Sequence, residues 1–430
     1  MERYEAYKDS GVEWIGEIPE GWNVRRISAL YDARNEKVSD RDYPPLSVTM
    51  QGVVPQLETA AKSQDNDNRK LVKTGDFVIN SRSDRRGACG ISAFDGSVTL
   101  ISNVLAPKNE HAMDGRYYSY LFSSEGFADE YYRQGTGIVD DLWSTNWPRM
   151  KNILVSFPPF SEQQAIADYL DAKTGKIDGL IADCEREVEL LQEYRKSVIS
   201  EAVTKGLDPT VPMKDSGIKW IGEIPKNWHC ANLGKSIKTI QTGPFGSQLH
   251  SKDYSDDGEI CVVNPANIID GKIVPSTCNR ICRKLANALS QHLMKRNEII
   301  FGRRGEMGRC ALIEHDGLFC GTGSIEMELY ETVVPKFAVY YLRCDFVKSY
   351  LELKSVGTTL QNLNTRILAT TPFVIAPIEE QNRIVAYLDT KTAEIDGLIT
   401  DKQTMADKLR EYRKSLISEA VTGKFKVPGV

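Results

Sequence analysis

From Ile177 onward, apolar residues return at alternating intervals of four and three: Ile177, Ile181, Cys184, Val188 and Leu191, continuing through Arg195 to Val198 and Ala202. The same spacing runs through Ile395, Ile399, Lys402, Ala406, Leu409, Arg413, Leu416 and Ala420. That period predicts two long helices, each with a coiled-coil seam, one widened by Leu180 and Ile199 and the other by Leu398, Met405, Tyr412 and Ile417. The stretches DAKTG and DTKTA, just before each seam, are places where such a helix could break or kink. Elsewhere the pattern shortens. FVIN (Phe77–Asn80), GSVTLISNVLA, EICVVN, EIIFG and PFVIA read as strands, whereas RYYSYLFSSEGFADEYYR and KFAVYYLRCDFVKSYLELK read as helices. No regular βαβ alternation links them, so the globular parts are mixed α+β.

The two helical stretches are copies of one segment. SEQQAIADYLDAKTGKIDGLIADCEREVELLQEYRKSVISEAVT, starting at Ser161, matches the stretch starting at Glu379 at 26 of 44 positions. A shorter motif, DSGVEWIGEIPEGW from Asp9 to Trp22, returns as DSGIKWIGEIPKNW from Asp215 to Trp228, with 10 of 14 positions identical. The order is therefore motif, globular segment and helix, twice over: globular segments at 1–160 and 206–375, helices at 161–205 and 376–430. Two near-identical stripes in one chain either cover their own domains or pair with each other. A self-complementary pair about a two-fold axis is antiparallel, and pairing is the reading we favour. Its helix-pairing positions are Ile177, Ile181, Val188, Leu191 and Val198 with Ile395, Ile399, Leu409 and Leu416. Closed pseudo-symmetry then sets the N-terminal motif against the end of the second helix, with Trp14/Trp220 and Ile18/Ile224 as the apolar clasp.

Composition bounds the function. Of 430 residues, 41% are hydrophobic and 26% charged, as in a soluble globular protein. No run approaches the ~18 apolar residues of a membrane span. Nine scattered cysteines suit reduced thiols in a cytoplasmic protein better than a disulfide framework. Lys and Arg number 54 against 59 acidic residues, a net charge of −5, so any contact with nucleic acid has to come from local clusters.

Such clusters occur at matched places. LVKTGDFVINSRSDRRG (Leu71–Gly87) aligns with LMKRNEIIFGRRGEMGR (Leu293–Arg309), and in both a strand leads into an Arg-rich, Gly-containing loop. Lys73, Arg82, Arg85 and Arg86 in the first, with Lys295, Arg303, Arg304 and Arg309 in the second, are candidate DNA contacts: guanidinium forks bind guanine edges or phosphates. The competing reading is a solvated loop, or arginines paired to Asp84 and Glu306. TGPFGSQLHSKDY (Thr242–Tyr254) adds Ser247 and Gln248, since Gln can read adenine. GTG (Gly135–Gly137) and GTTLQNLN (Gly357–Asn364) hold equivalent places before the last strand of each segment.

No chemistry is legible. FPPF and NPAN lack the polar–aromatic pair with which an adenine methyltransferase holds a flipped base. There is no phosphate-binding loop, and Cys278 and Cys282 lack paired zinc spacing. We assign no catalytic residue, no metal site and no cofactor to this chain.

The doubled WIGEIP and EYRKS-type repeats, the GPFGSQL run (Gly243–Leu249) and the P-x-x-EQ entry to each helix together resemble the specificity (S) subunit of type I restriction–modification systems. The resemblance covers essentially the whole chain. It implies two target-recognition domains separated by two long antiparallel coiled-coil helices, reading an asymmetric, bipartite site on double-stranded DNA. It further implies two methyltransferase subunits carrying S-adenosylmethionine, and two restriction subunits using ATP and Mg. The 27 residues from Ile177 to Val203 would span ~40 Å at ~1.5 Å per residue, or ~12 base pairs of spacer. A protein–protein scaffold that binds something other than DNA is the alternative from another class.

Overall fold

Two uninterrupted helices, Phe160–Lys205 and Ile378–Val421, carry the repeat. The structure, a computed structural model, describes residues 2–57, 67–82, 87–109, 111–137, 143–245, 248–355 and 363–430. Each helix starts just after proline, with Glu162 or with Glu379 and Glu380 in its first turn, where negative charge suits the helix dipole. The expected breaks at DAKTG and DTKTA are absent. Thr174 and Thr392 turn their hydroxyls back onto the carbonyls of Leu170 and Leu388, at 2.7 and 2.6 Å, so these polar residues stay within the helix.

The chain resolves into two compact units, Met1–Glu185 with Gln403–Val430, and Arg186–Lys402. Each draws on both long helices. Within the first unit, Asp178 pairs with Arg413 (2.8 Å) and Glu185 with Arg410. Within the second, Arg195 pairs with Asp396 (2.8 Å) and Glu187 with Lys402. In each unit one helix ascends in number as the other descends, so the helices run antiparallel. The Asp178–Arg413 pair recurs as Asp396–Arg195 with the helices exchanged.

All sixteen seam positions are buried or half-buried. Ile177, Ile181, Leu409 and Leu416 join the core of the first unit and Val198 that of the second; Ile395 is buried, and Val188, Leu191 and Ile399 are half-buried. The expected widening holds only for Ile199 and Ile417. Leu180, Leu398, Met405 and Tyr412 are 47–50% exposed, because they fall outside the stripe that faces the partner helix.

A four-stranded antiparallel sheet anchors each unit. In the first its order is Cys89–Ile91, Phe77–Asn80, Ser102–Pro107, Tyr31–Ala33. In the second the order is Cys310–Leu312, Ile299–Gly302, Ser324–Leu329, Ile237–Thr242. Matching helices cover it, Gly115–Ser123 and Glu125–Arg133 in one, Pro335–Leu342 and Asp345–Ser355 in the other. The smaller sheets differ. The first unit adds a hairpin, Leu46–Thr49 with Gly52–Pro55; the second inserts Ile260–Val263, which pairs in parallel with Leu318–Cys320.

The repeat motifs explain how sheet and helix are joined. Each folds into a hairpin, Tyr7–Asp9 with Glu17–Pro19 and Met213–Asp215 with Glu223–Pro225. Trp22 and Trp228 are fully buried, and their indole N–H groups donate to Glu162 and Glu380 at 2.8 and 2.7 Å. The adjoining Gln163 and Gln381 accept from the backbone N–H of Asp114 and Val334, and donate to the carbonyls of Pro158 and Ala376. The EQ pair thus bolts each long helix to its WIGEIP motif and to the start of the helix that covers its sheet. As expected, the N-terminal motif meets the end of the second helix: Ile15, Ile18 and Trp22 share one core with Leu416, Ala420, Val421 and Phe425. Trp14 and Trp220 serve otherwise, packing on Phe127 and on Phe346 and Tyr350 of their own domains.

Candidate nucleic-acid interface

The strands Phe77–Asn80 and Ile299–Gly302 hold the same sheet position in their units, so the loops after them leave from equivalent edges. In each unit a second loop is bound there. Thr145 donates its N–H to the carbonyl of Ser81 (3.0 Å), and Leu363 donates to that of Arg303 (2.9 Å). The Arg-rich loop and the loop before the last strand therefore meet at one end of the sheet, in both units. In the second unit two more loops converge on this end. Gly243 donates to the carbonyl of Ser324 (3.0 Å), and Arg303 to that of Gly323 (2.9 Å).

The candidate residues separate on this frame. Lys73 and Lys295 precede their strands and Arg82 and Arg303 follow them, so each lysine lies at the far end from the arginines. Lys73 also pairs with Asp95 (2.9 Å) and lies over the Tyr43 ring; that hydrogen bond, with those from Thr74, pulls the exposed Asp95 carboxyl down to about 2. Lys295 is exposed, and its backbone N–H caps on Glu298. Arg82 is exposed and has no ion-pair partner among the described residues. Arg85, Arg86 and Ser247 lie outside the described residues.

The three arginines of the second loop differ in commitment. Arg303 is half-buried and donates to the Leu363 carbonyl (3.2 Å), and desolvation lowers its pKa. Arg309 pairs with Glu306 (3.0 Å) and also reaches the Pro265 carbonyl. Glu306 also takes Lys348 (3.1 Å), and these two cations hold its carboxyl below the usual range. Arg304 alone among the three is exposed without a side-chain partner among the described residues. It is the guanidinium available to a ligand. Gln248 holds its own loop: its Oε1 accepts the Phe245 N–H (3.1 Å) while its N–H donates to the Phe245 carbonyl (2.8 Å).

A residue pattern missed in the sequence links helices to domains. Tyr120 donates to Asp171 (2.8 Å), which also pairs with Arg116; Tyr340 donates to Asp389 (2.7 Å), which pairs with Lys336. The aspartate of DAKT and DTKT is the docking point for the covering helix. The aspartate lies within the repeat, but Tyr120 and Tyr340 lie about 50 residues upstream of it, so the repeat alone does not show the pairing. Among the described residues no group of side chains fit to hold a metal occurs, and no helix is long and apolar enough to cross a membrane.

A family model described as the type I restriction modification DNA specificity domain matches residues 19–189 and 235–404. The chain is 25% identical over 427 residues to the type I restriction enzyme MjaVIII specificity subunit of Methanocaldococcus jannaschii, covering 95% of this chain and 94% of that one. It is 23% identical over 438 residues to the putative MjaX specificity subunit of the same organism, covering 96% of each. Among solved structures, one described as the structural basis of complex assembly and conformational transition of the type I R-M system aligns with TM-score 0.72 at 16% identity, over 94% of this chain and 98% of that one. The HsdS subunit of Thermoanaerobacter tengcongensis aligns with TM-score 0.53 at 16% identity, over the same shares.

Proposed function

The chain belongs to the type I restriction–modification DNA specificity family, a non-catalytic recognition subunit that binds DNA within a larger complex, and from that premise we propose how its parts divide the task. Residues 1–160 read one half-site and residues 206–375 the other. The helices, 161–205 and 376–430, set an unread spacer of about one DNA turn between them, by the rise per residue of an α-helix. The observation that carries this is the recurrence, in both units, of two loops bound together at the same end of the same sheet, on unlike sequences. Equivalent scaffolds with unlike loops suit an asymmetric site. Arg82 and Arg304 are the contacts we expect in the first and second half-sites. Lys73, Arg303 and Arg309 support the scaffold.

Two methyltransferase subunits dock on the long helices, on this reading, bringing S-adenosylmethionine. Two restriction subunits bring ATP and Mg, and the assembly works in the cytoplasm. What supports paired docking is a repeated exposed row: Leu180 and Tyr412 in the first unit match Leu398 and Tyr194 in the second, all 47–50% exposed. Exposed apolar residues at identical positions of a duplicated helix suit two copies of one partner. The modest charge fits as well, since phosphate affinity is then shared over the complex. Methylome sequencing of a host with and without the gene is the test. A bipartite motif that vanishes with the gene supports the reading; an unchanged methylome refutes it.

A further inference from the structure

We propose that Phe245 reads a thymine in the second half-site, its ring packing on the 5-methyl group in the major groove. The inference rests on the DNA reading above and adds to it one residue and one base feature. Phe245 is 68% exposed, whereas the preceding Gly243 and Pro244 are buried. Its backbone is tied down. The Gly243 N–H bonds to Ser324, and a Cβ at Gly243 would lie 2.0 Å from the Gly321 carbonyl oxygen, so only glycine permits the loop to sit this close. The Phe245 N–H and carbonyl are both held by Gln248. An anchored backbone thus presents a large apolar ring to water.

Its neighbourhood says what the ring meets. The bend that takes the Gly243 N–H at Ser324 also takes the Arg303 N–H at Gly323, so Phe245 and the uncommitted Arg304 stand on two loops fixed to one point. A guanidinium there answers phosphate or guanine. A phenyl ring makes no hydrogen bonds, and the one apolar feature a base pair shows in the major groove is the thymine methyl. Among the described residues the first unit has no counterpart. Its equivalent strand, Tyr31–Ala33, is followed by Arg34, which is tied to Asp76 at 2.6 Å.

The test uses the full chain in complex with its methyltransferase, on duplexes carrying the methylated motif. Each thymine of the second half-site is replaced in turn by deoxyuridine, which removes only the methyl. We expect one replacement to weaken wild-type binding about fourfold, the worth of one buried methyl group. Phe245→Ala should show a comparable loss on thymine DNA and no further loss at that deoxyuridine. A deoxyuridine effect that persists in Phe245→Ala overturns the proposal, as does a second half-site without an A·T pair. So does 2-aminopurine fluorescence that rises with wild type and not with Phe245→Ala while deoxyuridine has no effect, because that marks stacking instead. Should the complex not tell the motif from scrambled DNA, the DNA reading itself fails.

Discussion

The two units solve one packing problem with different chain connections. In the second, the end of the first helix runs on covalently through Gly206 into the WIGEIP hairpin. In the first, the hairpin at the N-terminus receives the end of the second helix from the far end of the chain. The contact is nevertheless the same. Gly206 (φ +78°) lies against Trp228 and Pro225, and Gly423 (φ +72°) lies against Trp22 and Pro19. What the first unit lacks in covalent linkage it supplies in hydrogen bonds. Tyr117 and Ser156 both donate to the carbonyl of Val421, at 2.9 and 2.8 Å, satisfying a helix-end acceptor. Lys424 bonds to the carbonyls of Ile15 and Glu17, and Glu2 bridges to Lys426. The second unit has Phe337 and Val374 at the places of Tyr117 and Ser156. Matched surfaces, not the order of connection, fix this fold.

The largest effect should come from the shared bolt. Trp22→Ala and Trp228→Ala each remove a fully buried indole, at a cost of about 3–5 kcal/mol. If the units are separate in stability, each variant should lower only its own unfolding transition in hydrogen exchange; a single merged transition would make them one cooperative body.

A second contrast lies in the sheets. Glu326 on the strand Ser324–Leu329 holds the place of Val104, and burial pushes its carboxyl up to about 7 from 4.5. A raised acid favours the folded state while protonated. The second unit should therefore lose stability as pH rises from about 4.5 to about 7, with no such slope from this site in the first. Glu326→Gln should remove the slope, and above pH 7 should stabilise the second unit by on the order of 2 kcal/mol. Thermal unfolding followed between pH 5 and 8 reads both.

Giving the first unit the second unit's residues, Tyr117→Phe with Ser156→Val, leaves the Val421 carbonyl without its donors. We expect a loss of about 1–3 kcal/mol, confined to the first unit in urea unfolding. An unchanged midpoint would mean that apolar packing alone closes the clasp. Smallest and most specific is Arg304→Ala. It should weaken DNA carrying the second half-site about tenfold, within the range of one base-edge contact, and leave discrimination in the first half untouched. Equal loss over both halves would mark Arg304 as a phosphate contact.

The helices, the duplication and the antiparallel pairing were legible because burial imposes a period on the sequence, and a repeat displays that period twice. The strands were legible as short runs, and the Leu71–Gly87 match to Leu293–Arg309 located equivalent edges. What each loop residue does was not. Arg303 and Arg304 are neighbours of the same type, and only the Leu363 carbonyl, distant in sequence, separates the committed guanidinium from the available one. Likewise the sequence does not show that the Oε1 of Gln248 accepts the Phe245 N–H. The seam is narrower than the apolar spacing suggests, because Leu180 and Tyr412, though apolar, are about half exposed. Asp171 and Asp389 looked like helix breakers because their tyrosine partners sit about 50 residues upstream.

The most direct measurement inserts one heptad into each long helix, after Glu187 in the first and before Lys402 in the second, and sequences the methylome. Seven residues add ~10 Å of helix, or roughly 3 base pairs. If paired helices set the interval between two readers, both half-sites should persist unchanged with a spacer longer by that amount. A motif with its original spacer would contradict the account.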